Sequence, residues 1–178
     1  EISKWANNNG LKAVIGVDEE SIVLAANLSN FLNVDHNSIE SVLLTQNKYL
    51  MRTELKKTGL CSPWFKIFSI YESSNKIINE ISFPCVIKPT FLSASRGVIR
   101  VNTIEELING IKTLDELLSL EEIREYGGEK SNWFLIEEYI PGLEVAIEGI
   151  VAEGKLKVLA VFDKPEPHEG PTFEETII

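Results

Sequence analysis

The amino-acid sequence predicts an α+β fold, in which helix-rich segments and antiparallel strands occupy different parts of the chain. Three observations support this prediction. An apolar run at 12–17 precedes a helical pattern at 19–32, a long amphipathic pattern spans 103–120, and two alternating runs follow residue 143. We expect three successive parts: the end of an α/β domain with a connecting helix at 1–66, a small lobe of antiparallel strands and helices at 67–138, and the start of a second antiparallel sheet at 139–178.

Composition excludes several classes of function. The chain has 178 residues and a formal net charge of −10, which argues against a nucleic-acid surface because phosphate backbones are bound by accumulated Lys and Arg. No apolar run approaches the roughly 18 residues of a membrane span, and no basic-then-apolar leader is found. Cys61 and Cys85 have no further Cys or His at metal-binding spacing, so we expect reduced thiols and a cytoplasmic location.

The first part of the chain alternates between strand-like and helix-like patterns. The run at 12–17 predicts a strand, and the segment after it predicts a helix at 19–32. A second helix is expected over 45–60, with Thr45 as its cap and Gly59 at its end. A strand is then expected at 64–68 and a short helix at 77–81. The sequence begins at Glu1 rather than Met, and we expect both ends to continue in a longer protein.

The second part predicts a strand pair, a helix and a hairpin. Two short strands flank a loop of small residues within 83–101, and Thr103 with Glu106 forms a capping box for the helix at 103–120. Residues 126–132 are expected as a loop and 133–140 as a strand. The sequence "AEGK" predicts the turn of a hairpin, and a further strand is expected to start in 172–178.

The stretch "KPTFLSASRG" is the first that indicates chemistry. Backbone N–H groups of a loop without bulky side chains can converge on a phosphate, and Lys88 at the end of the preceding strand adds a positive charge. The stretch lacks the spacing of a Walker loop. Taken alone, the stretch favours the simpler interpretation, a hairpin with a polar loop and an exposed lysine.

Three stretches read together resemble the ATP-grasp superfamily of ligases. They are "NKYLMR", in which Lys48 follows Asn47 at the start of a helix, "VIKP" with Lys88, and "LIEEYIPGLEV". The resemblance covers nearly the whole chain and is nearest to the branch of carbamoyl-phosphate synthase, biotin carboxylase and the amino-acid ligases. It implies that 67–138 is the central lid subdomain and that 139–178 begins the C-terminal subdomain.

The resemblance assigns roles in binding the phosphates of ATP. Lys48 and Lys88 are implied as phosphate ligands, and the flexible lid over the phosphates corresponds to the small residues that lead into an Arg-Gly pair, here Ser93, Ser95, Arg96 and Gly97. This lid is poorer in glycine than the pattern of biotin carboxylase.

Further roles concern the nucleoside and the acyl group. The hinge that pairs with adenine through backbone groups is implied at Glu137, Glu138, Tyr139 and Ile140, and Val86 and Val98 are implied to contact the faces of the base. Glu144 is implied to bind the ribose hydroxyls. Lys164 and Glu175 are candidates for the site of the acyl phosphate.

The implied activity is an ATP-dependent, ADP-forming carboxylate–amine ligase with an acyl-phosphate intermediate. Its partners would be ATP with Mg²⁺, a small carboxylate and an amine or similar nucleophile. The family's metal ligands lie on later strands, so we expect no metal site within this chain, Mg²⁺ ligands beyond residue 178, and no activity of this piece alone. A homodimer through an unfinished sheet edge is also expected. The alternative is a non-catalytic nucleotide-binding or protein-interaction module with the same fold.

Overall fold

A computed structural model describes residues 2–164 of the chain. It divides into two compact units, Glu1–Ile67 and Phe68–Ile178, and each is described by itself. The elements in chain order are α1 Ile2–Asn9, α2 Ser21–Leu32, α3 Ile39–Thr45, α4 Lys48–Lys57, β1 Phe65–Ser69, α5 Ser74–Ile78, β2 Cys85–Pro89, β3 Ile99–Val101, α6 Ile104–Leu118, α7 Glu121–Gly127, a 3₁₀ helix Gly128–Asn132, β4 Trp133–Glu138, β5 Val145–Ala152 and β6 Lys155–Asp163.

Polar side chains accept hydrogen bonds from backbone N–H groups near the starts of α2 and α4. Before α2, the Ser21 N–H donates to Asp18 Oδ1 at 2.7 Å, and hydrogen bonds from the Ser21 main chain and side chain hold the pKa of Asp18 below its ordinary value. Before α4, the Asn47 side chain accepts from the N–H groups of Tyr49 and Leu50. The prediction of one helix capped by Thr45 was therefore wrong: Thr45 ends α3, and Asn47 starts a separate helix.

The strand expected at 12–17 is not formed. Ile15 and Val17 are 80% and 91% exposed, and the described residues of this unit offer no neighbouring strand to this segment. A single extended segment has no hydrogen-bond ladder and no partner for its apolar side chains, so its pattern alone does not stabilise a strand.

The second unit is built on a four-stranded sheet in the order β1-β4-β2-β3. Strand β2 is antiparallel to both β3 and β4, and Ile87 lies opposite Ile99 on one side and Ile136 on the other. The face of the sheet that carries Ile87 and Ile136 packs into one apolar core, whose fully buried members include Phe68, Ile77, Cys85, Val101, Leu107, Leu114 and Phe134.

Helix α6 covers this core and confirms the most periodic pattern in the sequence. Thr103 caps it by accepting from the Glu106 N–H at 3.2 Å, and Leu107 and Leu114 on its inner face are fully buried. A Cβ at Gly110 would lie 2.6 Å from Ile87 Cδ1, so the absence of a side chain there lets the helix approach β2 closely.

Two other segments differ from their predictions. Residues expected as a loop at 126–132 form the end of α7 and the 3₁₀ helix, where Ser131 Oγ donates to Ile123 O at 3.2 Å and is buried. The short helix expected at 77–81 is α5, which begins earlier in the chain. In both places, tertiary packing and local hydrogen bonds determine the secondary structure more than the sequence pattern from which it was predicted.

Strands β5 and β6 form the predicted hairpin. Ala152 pairs with Lys155, so the loop has two residues, and both Glu153 and Gly154 have positive φ, 50° and 73°, as a type I′ turn requires. One face carries exposed apolar side chains throughout: Val145, Ile147, Val151, Leu156, Val158 and Val161. The strand expected from 172 onward lies outside the described residues. Among the helices that are described, none is both long and apolar enough to cross a membrane.

Truncation of the buried face of α6 should destabilise the protein far more than truncation of its outer face. Leu107→Ala removes a fully buried side chain and should lower the free energy of unfolding by about 2–5 kcal/mol. The control Ile108→Ala, at a position 46% exposed on the same helix, should cost less than about 1 kcal/mol. Chemical denaturation followed by circular dichroism measures both, and equal losses would contradict the assigned face of α6.

Candidate functional site

The face of the four-stranded sheet turned away from α6 carries three of the residues singled out in the sequence, namely Val86, Lys88 and Glu137. Side chains alternate along a strand, and directly paired residues share a face. The register pairs Val86 with Glu137 and with Arg100, and it pairs Lys88 with Leu135. These five side chains therefore share one face, while Cys85 and Ile87 point into the core.

Lys88 and Glu137 form an ion pair on this face, in which Lys88 Nζ donates to Glu137 Oε1. Their side chains are only 14% and 8% exposed. Charges withdrawn from water to this extent are stable only when they are paired, because desolvation costs several kcal/mol for each ion. The pair thus holds an ammonium group in a defined position at the end of β2, where a loop begins.

That loop has an unusual backbone between β2 and β3. Arg96 N–H donates to Ser93 O at 3.1 Å and Val98 N–H to Ser95 O at 3.0 Å, so two turns follow each other. Ala94 and Ser95 have φ of 51° and 55°, a region that costs non-glycine residues roughly 1–3 kcal/mol. The N–H groups of Ala94, Ser95 and Gly97 donate to no other group in the described residues. Such amides are suited to an anion.

Gly97 is required at the end of this loop for two reasons. Its φ of 73° disfavours any residue with a side chain, and a Cβ there would lie 2.7 Å from Leu117 Cδ2. The loop is therefore closed against α6 at Gly97, while its exposed tip is formed by Ala94 and Arg96. Val98 follows directly and is half-buried before β3 starts.

In the segment after β4, the N–H groups of Tyr139 and Ile140 differ in their partners. Tyr139 N–H donates to Pro84 O at 3.4 Å, whereas Ile140 N–H donates to no group in residues 2–164. A hydrogen bond from this segment to a ligand base is thus available from Ile140 rather than from Tyr139. Glu138 pairs with Cys85 in the ladder, and its side chain is exposed.

Glu144 and Lys164 are neighbours at the open end of the hairpin. Lys164 Nζ donates to Glu144 Oε1 at 2.6 Å, and Lys164 N–H donates to Glu144 O at 3.3 Å. The sequence placed these residues at separate subsites, for the ribose and for the acyl group, whereas the structure brings them together. Glu175, the other acyl-site candidate, lies outside the described residues.

Lys48 is the first residue of α4 and belongs to the first unit, whereas the remaining candidates belong to the second. Asn47, which precedes it, supplies the helix cap, so the position of Lys48 at a helix start follows directly from the sequence.

The described residues contain no group of three His, Cys, Asp or Glu side chains that could hold a metal ion. Burial raises the pKa of the Cys85 thiol to about 12, because the thiolate is disfavoured away from water. Cys85 is thus a neutral core residue rather than a ligand or nucleophile. The expectation of Mg²⁺ ligands after residue 178 stays a prediction.

Sequence reasoning overlooked Arg100 and Asn102, although both lie beside the candidate site. Arg100 Cζ lies 4.0 Å from the centre of the Tyr139 ring, and Arg100 Nε donates to Asn102 Oδ1 at 3.1 Å. The signal was the alternation in "VIRVN": an arginine between two core-facing residues must lie on the same face as Val86.

Comparison with known proteins gives consistent similarities. The family model of the ATP-grasp domain matches residues 81–178, more than half of the chain. The alanine–anticapsin ligase of Bacillus subtilis (strain 168) is 29% identical over 191 residues, which covers 99% of this chain and 39% of that protein. The carbamoyl phosphate synthase large chain of Thermoanaerobacter sp. (strain X514) is 23% identical over 150 residues, covering 82% of this chain and 13% of that protein.

A solved structure shows the same architecture. The L-amino acid ligase from Bacillus licheniformis superposes with a TM-score of 0.76 at 25% identity, covering 98% of this chain and 40% of that one. The chain thus spans about two fifths of the length of these two amino-acid ligases. These similarities confirm the predicted α+β fold and the resemblance found in the sequence.

Removing one member of the buried ion pair should destabilise the second unit strongly. Glu137→Leu leaves Lys88 with a buried charge and should cost about 3–5 kcal/mol in the free energy of unfolding. The double variant Lys88→Met with Glu137→Leu removes both charges and should recover most of that loss. Urea denaturation of the two variants and the wild type tests this, and a double variant no more stable than Glu137→Leu would show that the pair is not the cause.

Proposed function

Because this chain belongs to the ATP-grasp domain family, we propose that it is the ATP-binding portion of an ATP-dependent carboxylate–amine ligase. The observation that carries the proposal is Lys88, an ammonium group held almost out of water at the end of β2, directly before a loop in which the amides of Ala94, Ser95 and Gly97 have no acceptor among the described residues. The net charge of −10 repels anions in general, so a phosphate ligand needs such a local positive site.

The residues present fit a nucleoside triphosphate. Lys88 and the N–H groups of Ala94, Ser95 and Gly97 would bind phosphate oxygens, with Ser93 and Arg96 at the edges of the same loop. Lys48, at the start of α4, is proposed as a further phosphate ligand, as the resemblance implies. These contacts are of the type that serves phosphoryl transfer, in which positioning and charge neutralisation dominate.

The nucleoside would be held by the hinge and by Glu144. Ile140 N–H is available to the base, while Tyr139 N–H is committed to Pro84. Val86 and Val98 would supply apolar contact to the base, and the Glu144 carboxylate would accept from ribose hydroxyls. Lys164, next to Glu144, would then act at the nucleotide rather than as an independent acyl-site residue.

The nucleotide supplies the γ-phosphoryl group that activates a carboxylate as an acyl phosphate with release of ADP, and an amine then displaces phosphate to form the C–N bond. Mg²⁺ would supply charge neutralisation for the triphosphate. This chain's own residues bind and orient the triphosphate.

The relatives support an amino acid as the carboxylate substrate, since two of the three are ligases of alanine or of L-amino acids. A non-catalytic module is not favoured, because every relative named above is a ligase or a synthase. A cytoplasmic location and a homodimer are also proposed.

Loss of the Lys88 charge should weaken binding of inorganic tripolyphosphate, which presents phosphates without a base. The expected loss is roughly 10- to 150-fold in Kd for Lys88→Met, from one charge-assisted contact of about 1.5–3 kcal/mol. NMR titration of the 178-residue chain measures even weak binding.

The matched control is Lys112→Met, a lysine 78% exposed on α6, which should leave the Kd unchanged. The double variant Lys88→Met with Glu137→Leu removes the same ammonium group without leaving a buried charge unpaired. Undiminished tripolyphosphate binding by this folded double variant would exclude Lys88 as a phosphate ligand.

Glu144 should determine the preference for a ribose. Wild-type chain should bind ATP about tenfold more tightly than 2′-deoxy-ATP, the equivalent of one charged hydrogen bond of about 1.5 kcal/mol. Glu144→Ala should abolish this preference, whereas Glu148→Ala, at an exposed position on the following strand β5, should retain it. If Glu144→Ala discriminates as well as wild type, the sugar is bound elsewhere.

A further inference from the structure

We propose that Arg100 is a positioning residue that fixes the hinge segment Tyr139–Ile140 for the adenine base through a relay of side chains, Glu106–Asn102–Arg100–Tyr139. The inference rests on the proposed function, because it assumes that Ile140 N–H is the donor to the base. It assigns to Arg100 no direct contact with the nucleotide.

The hinge needs such support because its last rung in the sheet is incomplete. Cys85 pairs with Glu138 in an antiparallel ladder, so the next pair is Pro84 with Tyr139. Tyr139 N–H donates to Pro84 O at 3.4 Å, but proline has no N–H to return the second bond of the pair. Ile140, whose N–H is proposed to donate to the base, therefore follows a residue pair, Pro84 with Tyr139, that is joined by a single long hydrogen bond.

Arg100 supplies the missing restraint from across the sheet. Strand β2 separates β3 from β4, so no backbone ladder joins Arg100 to Tyr139. The guanidinium instead reaches over β2 and lies 4.0 Å from the centre of the Tyr139 ring. A cation–π contact of this kind provides a restraint comparable to the hydrogen bond that the pair lacks.

The guanidinium is itself held by the start of α6. Arg100 Nε donates to Asn102 Oδ1 at 3.1 Å. Asn102 is fixed in turn by Glu106, whose Oε2 accepts from Asn102 N–H at 2.7 Å and from Asn102 Nδ2 at 2.9 Å. Because Glu106 lies in the first turn of α6, which packs on the core, the relay connects the position of the hinge to a rigid element.

Binding experiments with two ligands separate this role from others. Arg100→Gln should raise the Kd for ATP about 3- to 30-fold, which is the equivalent of losing the cation–π contact. The Kd for tripolyphosphate should change by less than about twofold. Asn102→Ala should act in the same direction more weakly, and Arg100→Lys should recover part of the loss because it keeps a cation. Arg124→Gln, an exposed arginine of α7, is the matched control.

A measurement without nucleotide makes the inference independent of ligand binding. Hydrogen exchange at the Tyr139 amide should become several-fold faster in Arg100→Gln and stay unchanged in Arg124→Gln. The thermal unfolding temperatures of the two variants should be equal, which shows that faster exchange does not come from global unfolding. Unchanged exchange at Tyr139 would overturn the relay. If Arg100→Gln weakened the binding of ATP and of tripolyphosphate equally, Arg100 would be a phosphate ligand, and the proposed relay would be overturned too. A wild type that binds neither ligand, while exchange responds as stated, would refute the proposed function and leave only the relay as a structural restraint.

Discussion

The pairing of two nearly buried charges, Lys88 and Glu137, is the constraint on which the candidate site depends. The two residues are diagonal neighbours on β2 and β4, and the observed register places them on one face within reach of each other. A slip of β4 by one residue against β2 would turn Glu137 toward α6 and Ile136 toward the opposite face, and would leave Lys88 without this partner. The core side chains Ile87 and Ile136 therefore determine the register, and the register forms the ion pair.

The pair also explains how a strongly acidic chain can offer a site to an anion. Glu137 keeps the ammonium group of Lys88 in place without ligand, and the loop from Ser93 to Gly97 adds backbone amides that carry no full charge. The positive potential is thus local and built from oriented groups rather than from an excess of basic residues. Its position at the end of β2 is set by the same sheet that forms the core.

The parts of the fold predicted from sequence are those specified by nearby residues. The cap at Thr103 and the apolar spacing of α6, and the Glu153–Gly154 turn of the hairpin, are local signals, and the structure confirms both. The strand expected at 12–17 failed because a strand depends on a partner that its own pattern does not specify. Arg100 was missed for a related reason, since its contact with Tyr139 crosses a strand and becomes visible only once the strand order is known.

The central claim is that one nucleotide site is formed by Lys88, the loop amides and Ile140. Its most direct test is an NMR titration of the ¹⁵N-labelled chain with a non-hydrolysable ATP analogue, followed at assigned backbone amides. The account predicts saturable shifts, with one common Kd, at Lys88, Ala94, Ser95, Gly97 and Ile140. The account would be contradicted by chemical-shift changes confined to α7 or to the β5–β6 turn. It would also be contradicted if the analogue at millimolar concentration changed no amide chemical shift.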